Sequence, residues 1–339
     1  MGKIRVGVIG CGRIGKLHIS NLKLLVPDAE LVMVADPFFT AEGEALCKNL
    51  GITNLTKNVD DIFNCKDIDA VFICSATATH ADYIIRSAEA GKDVFCEKPI
   101  DIDLEKIKKA LDAVKKAGVK LQIGFVRRFD HNHKTVHDTV ASGILGKPHI
   151  VKVSSRDPEN APLEYLKVSG GIHIDMTIHD FDMARYLSGS EITEVMAYGA
   201  TKITPELKEY GDVDTTIIML KFENGAIGVI DNSRAAHYGY DQRSEVHCDK
   251  GCVQTGNDRE NQAMISTADG VQIAKPTWFN FERYNDAFVA EAVAFINACQ
   301  GKGEIPVSGH DGLMAVVVAK AAKKSLEENR PVKTNEILG

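Results

Sequence analysis

The hexad Gly10-Cys11-Gly12-Arg13-Ile14-Gly15 is a full G-x-G-x-x-G, with a short apolar run before it and a helical pattern after it. In that setting the first glycine permits a tight turn, the second lets a pyrophosphate approach the backbone, and the third lets helix and strand pack closely. The start of such a helix faces an anion with its unpaired N–H groups. Asp36 follows 21 residues after Gly15, at the end of a second apolar run. A carboxylate there can accept hydrogen bonds from both hydroxyls of an adenosine ribose and would repel a 2′-phosphate, which favours NAD over NADP. The alternative is a capping or turn aspartate ahead of Pro37.

Cys96-Glu97-Lys98-Pro99 closes another buried-strand pattern, and open α/β sheets bind ligands at the carboxyl edge of their strands. A lysine at that edge can meet substrate and nicotinamide together; a lysine at most strand ends is simply solvated. Further along stands Gly170-Gly171-Ile172-His173-Ile174-Asp175-Met176-Thr177-Ile178-His179-Asp180-Phe181-Asp182. As one helix it would set Asp175 and His179 four apart on one face and Asp182 three beyond, with Ile174, Ile178 and Phe181 along an apolar side. A histidine flanked by carboxylates is oriented and made more basic, as a general base needs. Metal binding is the rival chemistry for two histidines among aspartates, but the spacing matches no common zinc pattern and no metal is expected. A helix start whose polar groups are merely satisfied is the third reading.

The elements that must position these residues follow a rhythm. Residues 3–9, 31–35, 70–74, 93–96 and 119–123 read as strands, and 12–25, 41–50, 80–90 and 104–117 as helices. Such alternation builds βαβ units on a parallel sheet. Ala70-Val71-Phe72-Ile73-Cys74 is the near-continuous apolar run that a sheet covered on both faces requires. After Gly124 the connections lengthen and the strands alternate; residues 214–222 and 226–231, joined by Glu223-Asn224-Gly225, read as a hairpin. Residues 286–299 and 312–327 read as two closing helices. The expected fold class is α/β: an N-terminal Rossmann doubly wound parallel sheet over residues 1–123, then an α+β domain over 124–339 with a large open, mainly antiparallel sheet.

Together the glycine hexad, Glu97-Lys98-Pro99 and Asp175-x-x-x-His179 resemble the Gfo/Idh/MocA oxidoreductase family. Within it, Gln122-x-Gly124-Phe125-x-Arg127-Arg128-Phe129-Asp130, Ser155-Arg156-Asp157-Pro158 and His237-Tyr238-Gly239-Tyr240-Asp241 look like inositol 2-dehydrogenases. The resemblance spans nearly the whole chain. It implies a catalytic set of Lys98, Asp175 and His179. It implies NAD held by Gly10, Gly12, Arg13, Ile14, Gly15, Asp36, the Ser75-Ala76 loop with His80, and Glu97 with Lys98. Substrate contacts are implied at Lys98, Arg127, Asp157, Asp175, His179, Asp182 and Tyr238. The implied activity is NAD-dependent oxidation of a cyclic polyol, myo-inositol to 2-keto-myo-inositol (scyllo-inosose), in a homotetramer or dimer assembled through the open face of the second domain's sheet.

Ser155-Arg156-Asp157-Pro158 departs from the His-Arg-Asn-Pro of some inositol dehydrogenases, which leaves the stereoisomer open. Another inositol isomer, an aldose or a nucleotide-linked sugar are the alternatives, and a non-catalytic NAD- and sugar-sensing regulator is the reading from a different class. On the residues alone, Asp157 and Asp182 suit a neutral polyol, since carboxylates accept hydroxyl hydrogen bonds and repel anions. Arg127 and Arg128 could instead receive a carboxylate or phosphate, or serve as ion-pair partners.

Composition narrows the classes further. A length of 339 residues suits two domains, and 44% hydrophobic with 26% charged residues is ordinary globular usage. Forty Lys and Arg against 47 Asp and Glu leave a net charge of -7, so no basic field exists to attract nucleic acid. The chain holds no apolar run long enough to span a bilayer and opens into a strand rather than a signal core, so no membrane partner is expected. Eight cysteines, scattered without disulfide or metal spacing, fit a reducing cytoplasm. His131, His133 and His137 read as a solvated helix start.

Overall fold

The computed structural model describes residues 2–339, and the chain divides into two compact units: Met1–Val126 with Asp286–Met314, and Arg127–Asn285 with Ala315–Gly339. The first unit alternates β1 (Ile4–Ile9), α1 (Arg13–Leu24), β2 (Ala29–Ala35), α2 (Ala41–Asn49), β3 (Leu55–Thr56), α3 (Asp60–Asn64), β4 (Ala70–Ile73), α4 (Thr77–Glu89), β5 (Asp93–Glu97), α5 (Leu104–Ala117) and β6 (Leu121–Gly124). Its six strands are all parallel in the order β3-β2-β1-β4-β5-β6, the doubly wound arrangement. Register aligns the strand ends: Ile9 pairs with Ala35 and Ile73, and Ile73 with Cys96. The glycine turn, Asp36, Ser75 and Lys98 therefore all leave the sheet at one carboxyl edge.

Burial on both faces explains the apolar strands. Val6, Val8, Val34, Ala70, Phe72 and Phe95 form one core with Ile19 and Leu22 of α1, and Phe72 stacks on Phe95 with ring centroids 4.5 Å apart. Helix α5 starts at Asp103, whose carboxylate accepts from Glu105 N, and stops at Gly118 with φ +69. The short β3 and α3 were not anticipated, because two- and five-residue elements carry too little periodicity to read.

The second unit contains α6 (His131–Ala141), β7 (Pro148–Arg156), α7 (Leu163–Leu166), α8 (Ile172–Asp175), α9 (Ile178–Ser188), β8 (Ile192–Ala200), β9 (Thr215–Phe222), β10 (Ile227–Ser233), β11 (Asp241–Cys248), β12 (Gly251–Gln254), β13 (Met264–Thr267) and β14 (Gly270–Ile273). After α10 (Asn280–Cys299) and α11 (Gly309–Glu328) the chain ends in β15 (Val332–Lys333) and α12 (Asn335–Leu338). A seven-stranded sheet runs β12-β11-β7-β10-β9-β8-β15, antiparallel except between β7 and β10. The expected hairpin joins β9 to β10 through Gly225 at φ +88. Strand β9 alternates buried and exposed residues, as one covered face and one open face require.

The two units do not follow a single cut at residue 123. Asp286–Met314 packs with the parallel sheet, where Ala292, Phe295 and Ile296 enter the core beside Val8 and Phe72. The apolar face of a helix does not say which sheet will cover it. Among the described residues no helix is long and apolar enough to cross a membrane.

Gly15 gives a direct test of the turn. A Cβ on Gly15 would lie 2.1 Å from the Gly10 carbonyl oxygen, whereas one on Gly12 meets nothing within 4 Å. Gly15→Ala is expected to cost about 1–3 kcal/mol in urea unfolding, and Gly12→Ala to stay within about 0.5 kcal/mol; equal effects would contradict the packing described.

Candidate active site

The glycine turn leaves helix α1 with Gly12 as its N-cap, no side chain capping it and no acid in its first turn. Its first amides are thus open to an anion, and the empty space above Gly12 is where a pyrophosphate can approach. Asp36 Oδ2 accepts from Cys11 N at 2.6 Å and Oδ1 from Phe38 N at 2.7 Å. Its carboxylate thereby ties the end of β2 to the glycine turn as well as holding its own turn, and each oxygen keeps a lone pair for a ribose hydroxyl. Ile14 packs into the core while Arg13 is exposed. These residues fit a dinucleotide.

On the next strands, Ser75 Oγ and Thr79 Oγ1 share a hydrogen bond of 2.7 Å. His80 is buried, with Nδ1 2.8 Å from the Pro99 carbonyl and Nε2 3.0 Å from the Ser75 carbonyl. Burial pushes its pKa down. The expectation that His80 touches the cofactor gives way to a different position: its ring is engaged by backbone and staples the Ser75 loop to the turn after Lys98. Glu97 likewise is buried, with Oε1 2.8 Å from His18 Nε2. Between Val94 and Asp101 every residue is buried except Lys98, and the Lys98–Pro99 peptide is cis.

In the second unit the same pattern recurs. From Ile172 to Arg185 every residue is buried except Asp175 and His179. The expected single helix is two, α8 and α9, because the register slips at Thr177: its N–H reaches back five residues to Ile172 O at 2.9 Å, and its hydroxyl donates to Asn232 Oδ1 at 2.6 Å. Single-turn slips of this kind are frequent at functional sites. Asp175 accepts from the Tyr165 hydroxyl at 2.6 Å and from Arg234 Nη2 at 3.1 Å. His173 is buried, and burial pushes it down to about 4.

Arg127 and Asp182, expected to contact substrate, lie in buried ion pairs. Arg127 Nη1 donates to Asp180 Oδ1 at 2.6 Å, and its Nη2 to Ser155 Oγ at 3.1 Å. Arg128 grips both oxygens of Asp182, Nε to Oδ2 at 2.8 Å and Nη2 to Oδ1 at 2.5 Å. Asn232 Nδ2 completes the Asp180 carboxylate at 2.9 Å. Tyr238 is exposed, donating to Asp241 Oδ2 at 2.6 Å and accepting from Arg156 Nη1 at 3.2 Å. Burial raises Asp157 to about 6, against the pull of Arg234 and Arg127 and with the push of Asp175 and Asp180.

Asp157, Asp175, Arg234, Arg127 and Asp180 are thus one charge cluster. Sequence reasoning missed Arg234 and Asn232; the polar run Asn232-Ser233-Arg234 at the end of an alternating strand was the available signal. The expected solvated helix start is also revised. His133 is buried against Ser244 Oγ at 3.0 Å, and burial lowers it to about 4. Asp130, His131 and Asp258 cluster nearby, but the Arg283 guanidinium already bonds Asp130 and lies 2.7 Å from Asp258.

Residues 4–125 match the oxidoreductase family with an NAD-binding Rossmann fold, and residues 133–254 match the GFO/IDH/MocA C-terminal domain. The chain is 45% identical over 337 residues to the myo-inositol 2-dehydrogenase of Thermotoga maritima, spanning 99% of this chain and 100% of that protein. To the inositol 2-dehydrogenase of Rhizobium meliloti it is 44% identical over 329 residues, 97% of this chain and 98% of that one. The scyllo-inositol dehydrogenase of Lactobacillus casei, solved with NAD(H) and scyllo-inositol bound, matches with a TM-score of 0.90 at 30% identity, over 98% of this chain and 99% of that one.

The raised Asp157 has a consequence for stability. Its folded form holds a proton up to about pH 6, above the ordinary carboxylate range, so it stabilises the fold at low pH and loses that contribution as pH rises through this window. Asp157→Asn removes the loss. Between pH 4 and pH 7 the variant is expected to gain on the order of 1–3 kcal/mol over the parent in urea unfolding; a difference that does not grow with pH contradicts the assignment.

Proposed function

The chain belongs to the GFO/IDH/MocA oxidoreductase family, with NAD as its cofactor, and from that premise we propose that it is an NAD-dependent inositol 2-dehydrogenase converting myo-inositol to 2-keto-myo-inositol. One observation carries the reading. Lys98, Asp175 and His179 are the accessible residues on two segments that are otherwise buried, so each segment presents only the groups that the chemistry needs.

NAD, when bound, supplies the acceptor for the hydride that leaves the carbinol carbon. His179 removes the proton of the same carbon's hydroxyl as a general base. Asp175, held by Tyr165 and Arg234, orients the imidazole and stabilises its cation. The Lys98 ammonium donates a hydrogen bond to the oxygen as negative charge develops there. Asp157 and Tyr238 contact the other ring hydroxyls, while Arg127 and Asp182 act from behind through their ion pairs. The glycine turn, Asp36 and the Ser75-Ala76 loop hold the dinucleotide, with His80 and Glu97 fixing those segments. The first unit is then the NAD-binding domain and the second the substrate domain. Oxidation of scyllo-inositol is the second reading, favoured by the likeness to the Lactobacillus casei enzyme. The intact Lys98, Asp175 and His179 weigh against a sensor without turnover.

We also propose a cytoplasmic homotetramer. The eight cysteines are all free thiols, which suits a reducing compartment. On the open face of the second unit's sheet, Tyr198, Ile217, Met219 and Ile227 are each about half exposed, with the Lys221–Glu194 pair at 2.6 Å beside them. An apolar stripe of this kind is covered by another surface in stable oligomers.

NADH absorbance with a panel of inositols and sugars is expected to rise first with myo-inositol; no NADH from any polyol sinks the proposal. His179→Ala should lower kcat by about 10²–10⁴-fold and Lys98→Met by about 10²–10³-fold, with NAD affinity unchanged in His179→Ala. Light scattering should give a tetramer that Met219→Glu dissociates, and a monomeric parent would refute the assembly.

A further inference from the structure

His18, Glu97 and Glu291 cluster in the first unit, and the reading above gives neither His18 nor Glu291 a task. They come from α1, the end of β5 and α10, and all three are buried. His18 Nε2 lies 2.8 Å from Glu97 Oε1 and 3.9 Å from Glu291 Oε1. Phe72, Phe95 and Phe288 wall the imidazole, with ring centroids 5.7, 5.1 and 5.8 Å away. From β6, Gln122 Nε2 donates to the Glu291 carbonyl at 3.0 Å, and a Cβ on Gly124 would come 3.1 Å from the Glu97 carboxyl carbon. The thiols of Cys74 and Cys96, both pushed up by burial, and His80 also face the cluster.

We propose that His18 and Glu291 are positioning residues for Lys98, acting through Glu97, and that Glu291 does this as a neutral acid. The proposal rests on the role given to Lys98 above. Glu97 precedes Lys98 and has its carboxylate held by His18; Pro99 follows Lys98 and has its carbonyl held by His80. Buried imidazoles therefore grip the chain on both sides of the one accessible residue. Glu291 is wholly buried and neither of its carboxyl oxygens has a hydrogen-bond partner. Burial first, then the charge of Glu97, pushes its pKa well up. Ionised, it would set a second negative charge among aromatic rings and compete with Glu97 for the single Nε2.

Glu291→Gln keeps the shape and neutrality of the protonated acid, and Glu291→Leu removes the polar oxygen that lies 3.9 Å from His18 Nε2. In the full-length protein, E291Q is expected to hold kcat within about threefold of the parent. E291L is expected to lose about tenfold or more in kcat, the scale of a misplaced catalytic group, at unchanged KM for NAD. The infrared difference spectrum of parent minus E291Q at neutral pH should show the carbonyl stretch of a protonated carboxylic acid. That band needs no turnover, so it is read even if E291L fails to fold or no polyol is oxidised; a band without turnover sinks the role of Lys98 and leaves the neutral acid standing. Absence of the band overturns the proposal, as does an E291Q as impaired as E291L, or an E291L with the parent's kcat.

Discussion

A polar group can stand on an otherwise buried segment only if the polar groups behind it are themselves satisfied. Lys98, Asp175 and His179 all occupy such positions. An unpaired buried donor or acceptor costs about 1–3 kcal/mol, and breaking a buried ion pair about 3–5 kcal/mol. In the second unit the fold meets this constraint with a layer of paired groups on the segment that carries Asp175 and His179: Arg234 on Asp175, Arg127 and Asn232 on Asp180, Arg128 on Asp182. Removing a member of that layer leaves a charge unpaired in a low dielectric, so the layer is a condition for the surface above it to keep its shape.

In the first unit the corresponding condition is register. Parallel strands deliver their carboxyl ends to one edge only if the pairing does not slip, and the pairings of Ile9 with Ala35 and Ile73 hold that alignment. Asp36 adds a cross-tie between β2 and the glycine turn, so the residue that would select the ribose also braces the loop that would cradle the pyrophosphate. His80 does the same for the two loops around Lys98. Both ties use side chains that the family resemblance assigns to cofactor contact; the Asp36 carboxylate keeps lone pairs for that contact, whereas the His80 ring is taken up by backbone.

The parallel sheet was legible because its signals are local: apolar runs, glycine caps and a fingerprint between a strand and a helix, all within a short stretch of chain. The hairpin at Asn224-Gly225 was legible for the same reason. The segment containing Asp175 and His179 was legible as helical but not in its interruption, since the slip at Thr177 depends on Asn232, 55 residues away. The packing of Asp286–Met314 was hidden likewise, because an apolar stripe names no partner.

Carboxylates show the limit most clearly. Asp157, Asp180 and Asp182 are chemically alike in the sequence, yet two of them are neutralised by arginines and the third is lifted by burial to about 6. Reading Asp157 and Asp182 as carboxylates that repel anions leaves out the arginine paired with Asp182 and the burial that raises Asp157. Once Arg127, Arg128 and Arg234 are paired with Asp180, Asp182 and Asp175, the cluster holds little net charge and many oriented donors and acceptors. A neutral ring of hydroxyls exchanges its water for such a surface without desolvating an unpaired ion, whereas a carboxylate or phosphate would have to break an existing pair to find a partner. Under the proposed function, preference for a polyol would follow from charges already satisfied by the fold, within a cluster where burial raises both Asp157 and Asp180.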